Sequence, residues 1–401
     1  MNRNDELQVV VAGHICLDIT PNLSNIEKKG INEVLSPGKL IHISGAEISL
    51  GGAVSNTGLA FPILGVNAKL MGKIGNDQFG TVVLDLLEKR NAREGMIVVD
   101  GARTSFTIIL VPPGTDRIFL HDPGANDTFS AEDINYEVIE QARLFHFGYP
   151  PIMKKIHEND GRDLVEIFKR VKKMNVTTSL DMCLPDPNSP SGKVDWEKVL
   201  TGVLPYVDIY VPSIEETLYM IDRNEYNRLN ENFKGRDIIE VMDLNKLPEL
   251  GKKLLDLGAK VVVIKCGKKG YYIRTRSKKD LDTMGKALKI DTSNWADREL
   301  MEETYNVPKV LSTTGAGDTS IAGFLAAFLN GLSIEESVKI ACAVGSECVQ
   351  TYDAISGIKS LDETIGLIRS GWKKDRISIE GSYWKYDSDR STWIGKSDSS
   401  L

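Results

Sequence analysis

The first strongly apolar run of the chain, Val9-Val10-Val11-Ala12-Gly13, is short, continuous and rich in β-branched residues. Such a run reads as a strand buried on both faces, as in a parallel sheet. Similar runs recur at Val176–Leu180, Val207–Val211 and Lys260–Lys265, and a further strand is expected at 270–273. Amphipathic stretches lie between them. Leu164, Val165, Phe168 and Val171 mark one helical face, and Lys169, Arg170, Lys172 and Lys173 the solvated one. Alternation of strand and helix predicts an α/β fold, with a mostly parallel central sheet flanked by helices.

Two segments break this rhythm. Residues 36–50 and 103–121 alternate apolar and polar positions around Pro-Gly and Pro-Pro-Gly turn signals, which predicts antiparallel strands and hairpins. Together they form a small β lid, with elements within 14–50 and 100–122, over the C-terminal edge of the sheet. The polar stretch 274–308 is read as a long connection. Residues 1–370 read as one domain and 371–401 as a tail. Its aromatics, Trp372, Tyr383, Trp384, Tyr386 and Trp393, suit docking onto the body, the alternative being a loose terminus.

Composition narrows the function classes. With 49 Lys plus Arg against 56 Asp plus Glu, the chain carries a formal charge of −7, which disfavours sequence-independent nucleic-acid binding. The five cysteines (Cys16, Cys183, Cys266, Cys342, Cys348) form no C-x-x-C pair and read as reduced thiols. The start, MNRNDELQ, lacks the apolar core of a signal peptide, and no apolar run reaches membrane-spanning length. A cytoplasmic enzyme without a membrane partner is the expectation.

The strongest chemical signal is Ser312-Thr313-Thr314-Gly315-Ala316-Gly317-Asp318. Downstream, Ile321, Phe324, Leu325, Phe328 and Leu329 recur at helical spacing, which predicts a helix with one buried face, and Asn330-Gly331 supplies a stop. A small-residue loop opening a helix exposes backbone N–H groups at the positive end of the dipole, an anion site. An acid beside it can accept a proton from a hydroxyl attacking a phosphoryl group. The alternative is that Asp318 is only a helix N-terminal acid. A second signal is Leu50-Gly51-Gly52-Ala53-Val54-Ser55-Asn56, where paired glycines allow close backbone approach and Asn56 offers both amide groups to sugar hydroxyls. On its own such a turn is more often just a tight loop.

Together the two segments carry a resemblance. LGGAVSNTGLAFPILGVNAKLMGKIGNDQFG and STTGAGDTSIAGFLAAF resemble the N- and C-terminal signatures of the ribokinase-like (phosphofructokinase-B type) family of carbohydrate kinases. The resemblance spans roughly residues 8–360. It implies a ribokinase-like α/β fold with a lid, ATP and Mg²⁺ as cofactors, phosphorylation of a small carbohydrate, and homodimers formed through the lid. It implies that Asp318 is catalytic, with Gly315, Ala316 and Gly317 neutralising phosphate charge. Asp18, in Gly13-His14-Ile15-Cys16-Leu17-Asp18, falls where the family binds sugar hydroxyls, beside Gly51, Gly52 and Asn56. Glu216 matches the acid of an Asn-x-x-Glu motif that organises Mg²⁺ through water, with Ser213 in place of the Asn. Lys265, Gly267 and Gly270 match a nucleotide-contacting segment, joined by Thr314. Ser312 stands where relatives carry an Asp that helps hold a monovalent cation.

Other features read blandly. Arg103 reaches a substrate anion or is a solvated lid-edge arginine. His14, His42, His121, His146 and His157 show no metal-ligand spacing, and His146 reads as a strand residue. Ser333-x-x-Glu336 is a helix capping box. Neither a Gly-x-x-x-x-Gly-Lys-[Ser/Thr] loop nor a Gly-x-Gly-x-x-Gly fingerprint after the first strand is present, which disfavours common NTPases and dehydrogenases. Sugar, sugar-acid and nucleoside kinases remain in play. So does a catalytically weak ligand-binding homologue, because Ser213 and Ser312 depart from the pattern.

Overall fold

The structure, a computed structural model, describes residues 6–26, 34–35, 37–112, 117–234 and 236–400. Its main sheet has eleven strands in the order β14-β15-β13-β12-β11-β10-β9-β8-β1-β4-β5. These are β1 Val9–Gly13, β4 Ala68–Gly75, β5 Met96–Val99, β8 Leu144–Gly148, β9 Thr177–Leu180, β10 Ile209–Tyr210, β11 Val261–Lys265, β12 Tyr271–Thr275, β13 Glu299–Glu302, β14 Trp384–Asp387 and β15 Thr392–Gly395. From β5 through β11 the pairing is parallel, and from β11 outwards it is antiparallel. Successive residues of β1 feed opposite cores. Val10 and Ala12 pack with Phe145 and Phe147, whereas Val9 and Val11 pack with Val261 and Phe324. Burial on both faces is why that run is continuous rather than alternating.

The lid is a separate four-stranded sheet, β3-β2-β6-β7, from β2 Cys16–Pro21, β3 Ala46–Gly51, β6 Phe106–Leu110 and β7 Ile118–Asp122. The 103–121 hairpin forms as expected, although Pro113-Gly114 of its turn lies outside the described residues. The 36–50 segment differs: it gives one strand, β3, whose antiparallel partner is β2, which directly follows β1. Ser36 lies outside the described residues. Register gives the lid two chemically distinct faces. One row runs Ser49, Asp18, Thr107, His121 across the strands, and the next runs Ile48, Ile19, Ile108, Leu120.

The 274–308 stretch is not a plain connection. It holds short helices at Lys278–Leu281 and Thr292–Trp295, then the fully buried β13. The sequence Glu-Leu-Met-Glu disguised this strand, because Glu299 and Glu302 are buried through polar partners, not apolar ones. Tyr272 and Tyr383 donate to Glu299 at 2.9 and 2.7 Å, and Lys374 pairs with Glu302. Tyr383, Trp384 and Trp393 pack on the body as β14 and β15 continue the sheet through β13. The helix Ala316–Leu329 also departs from expectation. Every residue from Asp318 to Leu329 is buried, so it is a central helix and not one with a single buried face. The Ser333–Glu336 capping box is present, and all five cysteines are free. Among the described residues, no helix is long and apolar enough to cross a membrane.

Candidate active site

A cleft of about 1000 Å³ lies between the lid and the C-terminal ends of β1, β8, β9, β10 and β11. Open α/β sheets place ligands at this edge. Asp18, Gly52, Asn56, Glu216, Lys265, Gly267, Thr314, Gly315, Gly317 and Asp318 all line it. The fold therefore gathers segments that lie far apart in the chain.

Asp318 stands in the first turn of the helix Ala316–Leu329. Gly315 caps that helix at φ 76°, a left-handed angle that glycine adopts freely, and a Cβ there would lie 2.3 Å from that of Ala354. Asn56 Nδ2 donates to Asp318 Oδ2 at 2.8 Å, and the Tyr149 hydroxyl donates to Oδ1 and Oδ2 at 2.8 and 2.9 Å. Burial pushes the Asp318 pKa up, opposed by the Asn56 and Tyr149 hydrogen bonds and by Lys265. Asn56 thus touches the candidate base itself. The Ala316 N–H is committed to the Thr313 carbonyl at 3.3 Å, and Ala316 does not line the cleft. Gly315 and Gly317 are the loop residues presented to a ligand.

Asp18 is buried in β2, facing the cleft. Its carboxylate lies against Gly51, where a Cβ would fall 2.3 Å from an oxygen, so Gly51 makes room for the acid without itself lining the cleft. Burial raises the Asp18 pKa to about 6 against weaker donation from Cys16 and Thr107. Gly52, at φ 86°, passes so close to His14 that a Cβ would meet its Nδ1 at 2.6 Å.

On the other side of the anion loop, Lys265 Nζ pairs with Asp181 and donates to the Val211 carbonyl at 2.9 Å. Its stem lies 3.8 Å from where a Gly317 Cβ would be. Asp181 Oδ2 is buried without a hydrogen-bond partner. Ser213 and Glu216 form a capping box on the helix Ile214–Ile221. Ser213 N–H donates to Glu216 Oε2 at 2.6 Å, and Glu216 N–H to Ser213 Oγ at 3.2 Å. Serine is as good an N-cap as asparagine, so the Ser213 departure leaves the local architecture intact. Ser312 Oγ accepts from the Thr314 N–H at 3.1 Å.

Two of the sequence candidates lie elsewhere. Arg103 is largely exposed and pairs with Asp122 at 3.3 Å. Gly270 sits against Glu302, whose carbonyl oxygen would lie 1.9 Å from a Cβ there, so its role is close strand packing. Neither lines the cleft.

Other groups come into view only in the fold. Tyr149 follows β8, and Asp181 follows β9. The His14 ring packs 5.1 Å from His121 and 6.2 Å from Tyr149, and burial lowers the pKa of both histidines. The Arg117 guanidinium donates to the Thr313 and Thr314 hydroxyls at 2.5 Å each, joining lid to anion loop. One signal was available: His14 lies inside the Gly13–Asp18 stretch. Tyr149 and Asp181 follow short buried strands, a place where ligand-binding residues of parallel sheets gather.

The chain is similar to known proteins over most of its length. Residues 7–361 match the sequence model of the pfkB family carbohydrate kinases. A sugar kinase of Archaeoglobus fulgidus, itself uncharacterised, is 25% identical over 300 residues, covering 75% of this chain and 98% of the relative. A probable chloroplastic fructokinase of Arabidopsis thaliana is 24% identical over 360 residues, covering 87% and 79%. Among solved structures, the fructokinase of Xylella fastidiosa with bound ATP superposes with a TM-score of 0.66 at 18% identity, covering 91% of this chain and 99% of that one.

Proposed function

The chain belongs to the pfkB family of carbohydrate kinases, ATP-dependent phosphotransferases with alcohol acceptors, and we propose that Asp318 is its general base toward a hydroxyl of a sugar or sugar acid. The observation that carries the reading is the Asp318 carboxylate at the mouth of an anion loop, in one cleft with Asp18 and Asn56. Asp318 takes the proton as the acceptor oxygen bonds to the γ-phosphorus. The bond from that phosphorus to the bridging oxygen breaks, and ADP leaves. The Gly315 and Gly317 N–H groups and the helix dipole stabilise the charge that spreads over the phosphoryl oxygens. Asp18 and Asn56 bind acceptor hydroxyls, and Thr314, Lys265 and Gly267 line the nucleotide side.

The residues suit a nucleotide-borne Mg²⁺. No cluster of three metal-binding side chains is preformed among the described residues, yet Asp181 keeps a buried, unpartnered oxygen beside Glu216. Mg²⁺ is usually held through one or two carboxylates, water and phosphate, where it neutralises developing charge. Glu216 and Asp181 are the groups in place for this. Ser312 leaves a monovalent cation beside the loop without a carboxylate at that position.

The apolar lid row supports lid-to-lid pairing of two copies, since Ile48 and Leu120 are each 51% exposed. The free thiols support a reducing, cytoplasmic setting. A nucleoside acceptor is the second reading, favoured by the rings of His14, His121 and Phe119 in the cleft, which offer a base a stacking surface.

An ATP-consumption screen against sugars, sugar acids and nucleosides tests the function. Asp318→Asn is expected to cost about 10²–10⁴-fold in turnover with nucleotide binding retained. Near wild-type turnover of that variant would sink the assignment.

A further inference from the structure

Tyr149 holds a backbone conformation that a tyrosine adopts only against resistance. Its φ and ψ are 68° and 44°, left-handed, and it precedes Pro150, which disfavours compact conformations in the residue before it. Glycine would take these angles freely. The chain keeps a phenol there instead, on a turn stiffened by Pro150 and Pro151. Strain of this kind persists where the surroundings over-determine it, and the partner that does so is Asp318.

The geometry is specific. One phenolic proton is shared between Oδ1 at 2.8 Å and Oδ2 at 2.9 Å, so the hydroxyl sits astride the carboxylate. Asn56 adds a second donor to Oδ2 at 2.8 Å. Oδ2 therefore faces two donors and Oδ1 one. A carboxylate has about four acceptor positions, and those left over are richer on Oδ1.

We propose that Tyr149 is the positioning residue of the base: its phenol fixes the plane and the charge of the Asp318 carboxylate and leaves Oδ1 to the acceptor hydroxyl. The proposal rests on Asp318 being the base. It assigns Tyr149 no contact with substrate.

The prediction concerns pH, so the neighbouring charges matter. Lys265 at the end of β11 favours the Asp318 anion; Asp181 beyond β9 and Glu216 on the helix Ile214–Ile221 oppose it. Asp18 on β2 opposes it from the lid side. Cys16, Cys183, Cys348 and Tyr271 also face it, and burial pushes each of them up, keeping them neutral near neutral pH. All of these remain in a Tyr149→Phe variant. What is lost is a donor that stabilises only the anion, so the Asp318 carboxyl becomes easier to protonate.

The experiment is a pair of pH–rate profiles at saturating ATP, with the acceptor found by the screen. In Tyr149→Phe the acid limb should move up by about one pH unit, giving roughly a tenfold greater loss below the limb than on the plateau. ATP affinity should hold, and the melting temperature should fall by no more than a few degrees, the stability cost of a one-unit shift. Incorporating 3-fluorotyrosine at 149, a stronger donor of nearly the same shape, should move the limb the other way. Limbs that superimpose after scaling, or that shift alike in both variants, would overturn the proposal whatever happens to kcat. Turnover by Asp318→Asn would instead remove the base assignment, a separate result.

Discussion

Asp18 is where the proposed recognition of substrate hydroxyls would cost stability most directly. It is 8% exposed, and burial lifts its pKa from 3.8 to about 6. A carboxyl whose folded pKa is raised is held more comfortably protonated in the fold than in the unfolded chain. Its ionised form therefore costs stability, not at all below the unfolded pKa and fully above about pH 6. A shift of about two units corresponds to roughly 3 kcal/mol. Replacing Asp18 with Asn keeps the shape and removes the charge. The variant should be more stable than the wild type at pH 8, by up to about 3 kcal/mol, and no more stable at pH 4.

Recognition should move the opposite way. If the Asp18 carboxylate accepts substrate hydroxyls, Asp18→Asn weakens acceptor binding by roughly tenfold to a hundredfold, the worth of one hydrogen bond to a charged group. Wild-type affinity should be flat above about pH 6 and fall by up to tenfold per unit below it, while the variant stays weak and flat. Calorimetric titration of the acceptor from pH 5 to 8, with urea melts at pH 4 and 8, reads both effects. A variant less stable than wild type at pH 8, or wild-type affinity indifferent to pH across that range, would refute the reasoning.

Two further expectations concern the far edge of the sheet and the anion loop. Asp398 is fully buried against the Arg298 guanidinium at 3.0 Å, so Asp398→Ala should destabilise by about 3–5 kcal/mol in a thermal or urea melt while ATP affinity is unchanged. Because Ser312 brings no charge to the loop, potassium should activate weakly and Ser312→Asp should strengthen that dependence; strong activation of the wild type, unaltered by the substitution, would exclude a role for this position.

The sequence carried the parallel core well, because strands buried on both faces announce themselves as unbroken β-branched runs, as Val9–Gly13 and Val261–Lys265 do. It failed at β13 for a physical reason. Glu299 and Glu302 are buried by tyrosine hydroxyls and a lysine drawn from other elements, and no local pattern encodes such partners. In the site, the residues legible from local chemistry alone were those set in glycine-rich loops, Gly51 and Gly52 before Asn56 and Gly315 and Gly317 before Asp318, whereas Asp18, Glu216 and Lys265 were legible only through the family resemblance. Tyr149 and Asp181 sit in ordinary-looking stretches, Gly-Tyr-Pro-Pro and Leu-Asp-Met-Cys. They become functional candidates only because strand order sets β8 and β9 between β1 and β11. The Ser213–Glu216 capping box was readable as Ser-x-x-Glu, but comparison with an Asn-bearing motif drew attention to what serine lacks instead of what it does.

The charge balance of the cleft bears on the form in which a nucleotide arrives. Asp181, Glu216 and Asp318 surround one ammonium, that of Lys265, and burial raises the pKa of all three acids. Burial also works against the Lys265 ammonium, yet Asp181 and Glu216 beside it hold its pKa above the usual value. Lys265 alone cannot balance three carboxylates, so this cluster holds either a surplus of negative charge or shared protons, while the Arg117 guanidinium donates to Thr313 and Thr314 from the lid side. Either state disfavours a bare polyphosphate at the Gly315–Gly317 loop, despite the N–H groups and helix dipole waiting there. A nucleotide bringing its own divalent cation would reverse the sign of that interaction: Asp181 and Glu216 would serve as ligands or counter-charges, and the unpartnered Asp181 oxygen would gain a partner. The surplus acidity that would be a defect in an empty pocket is thus suited to a metal-complexed nucleotide, while the Asp318 carboxylate is already engaged by Asn56 and Tyr149.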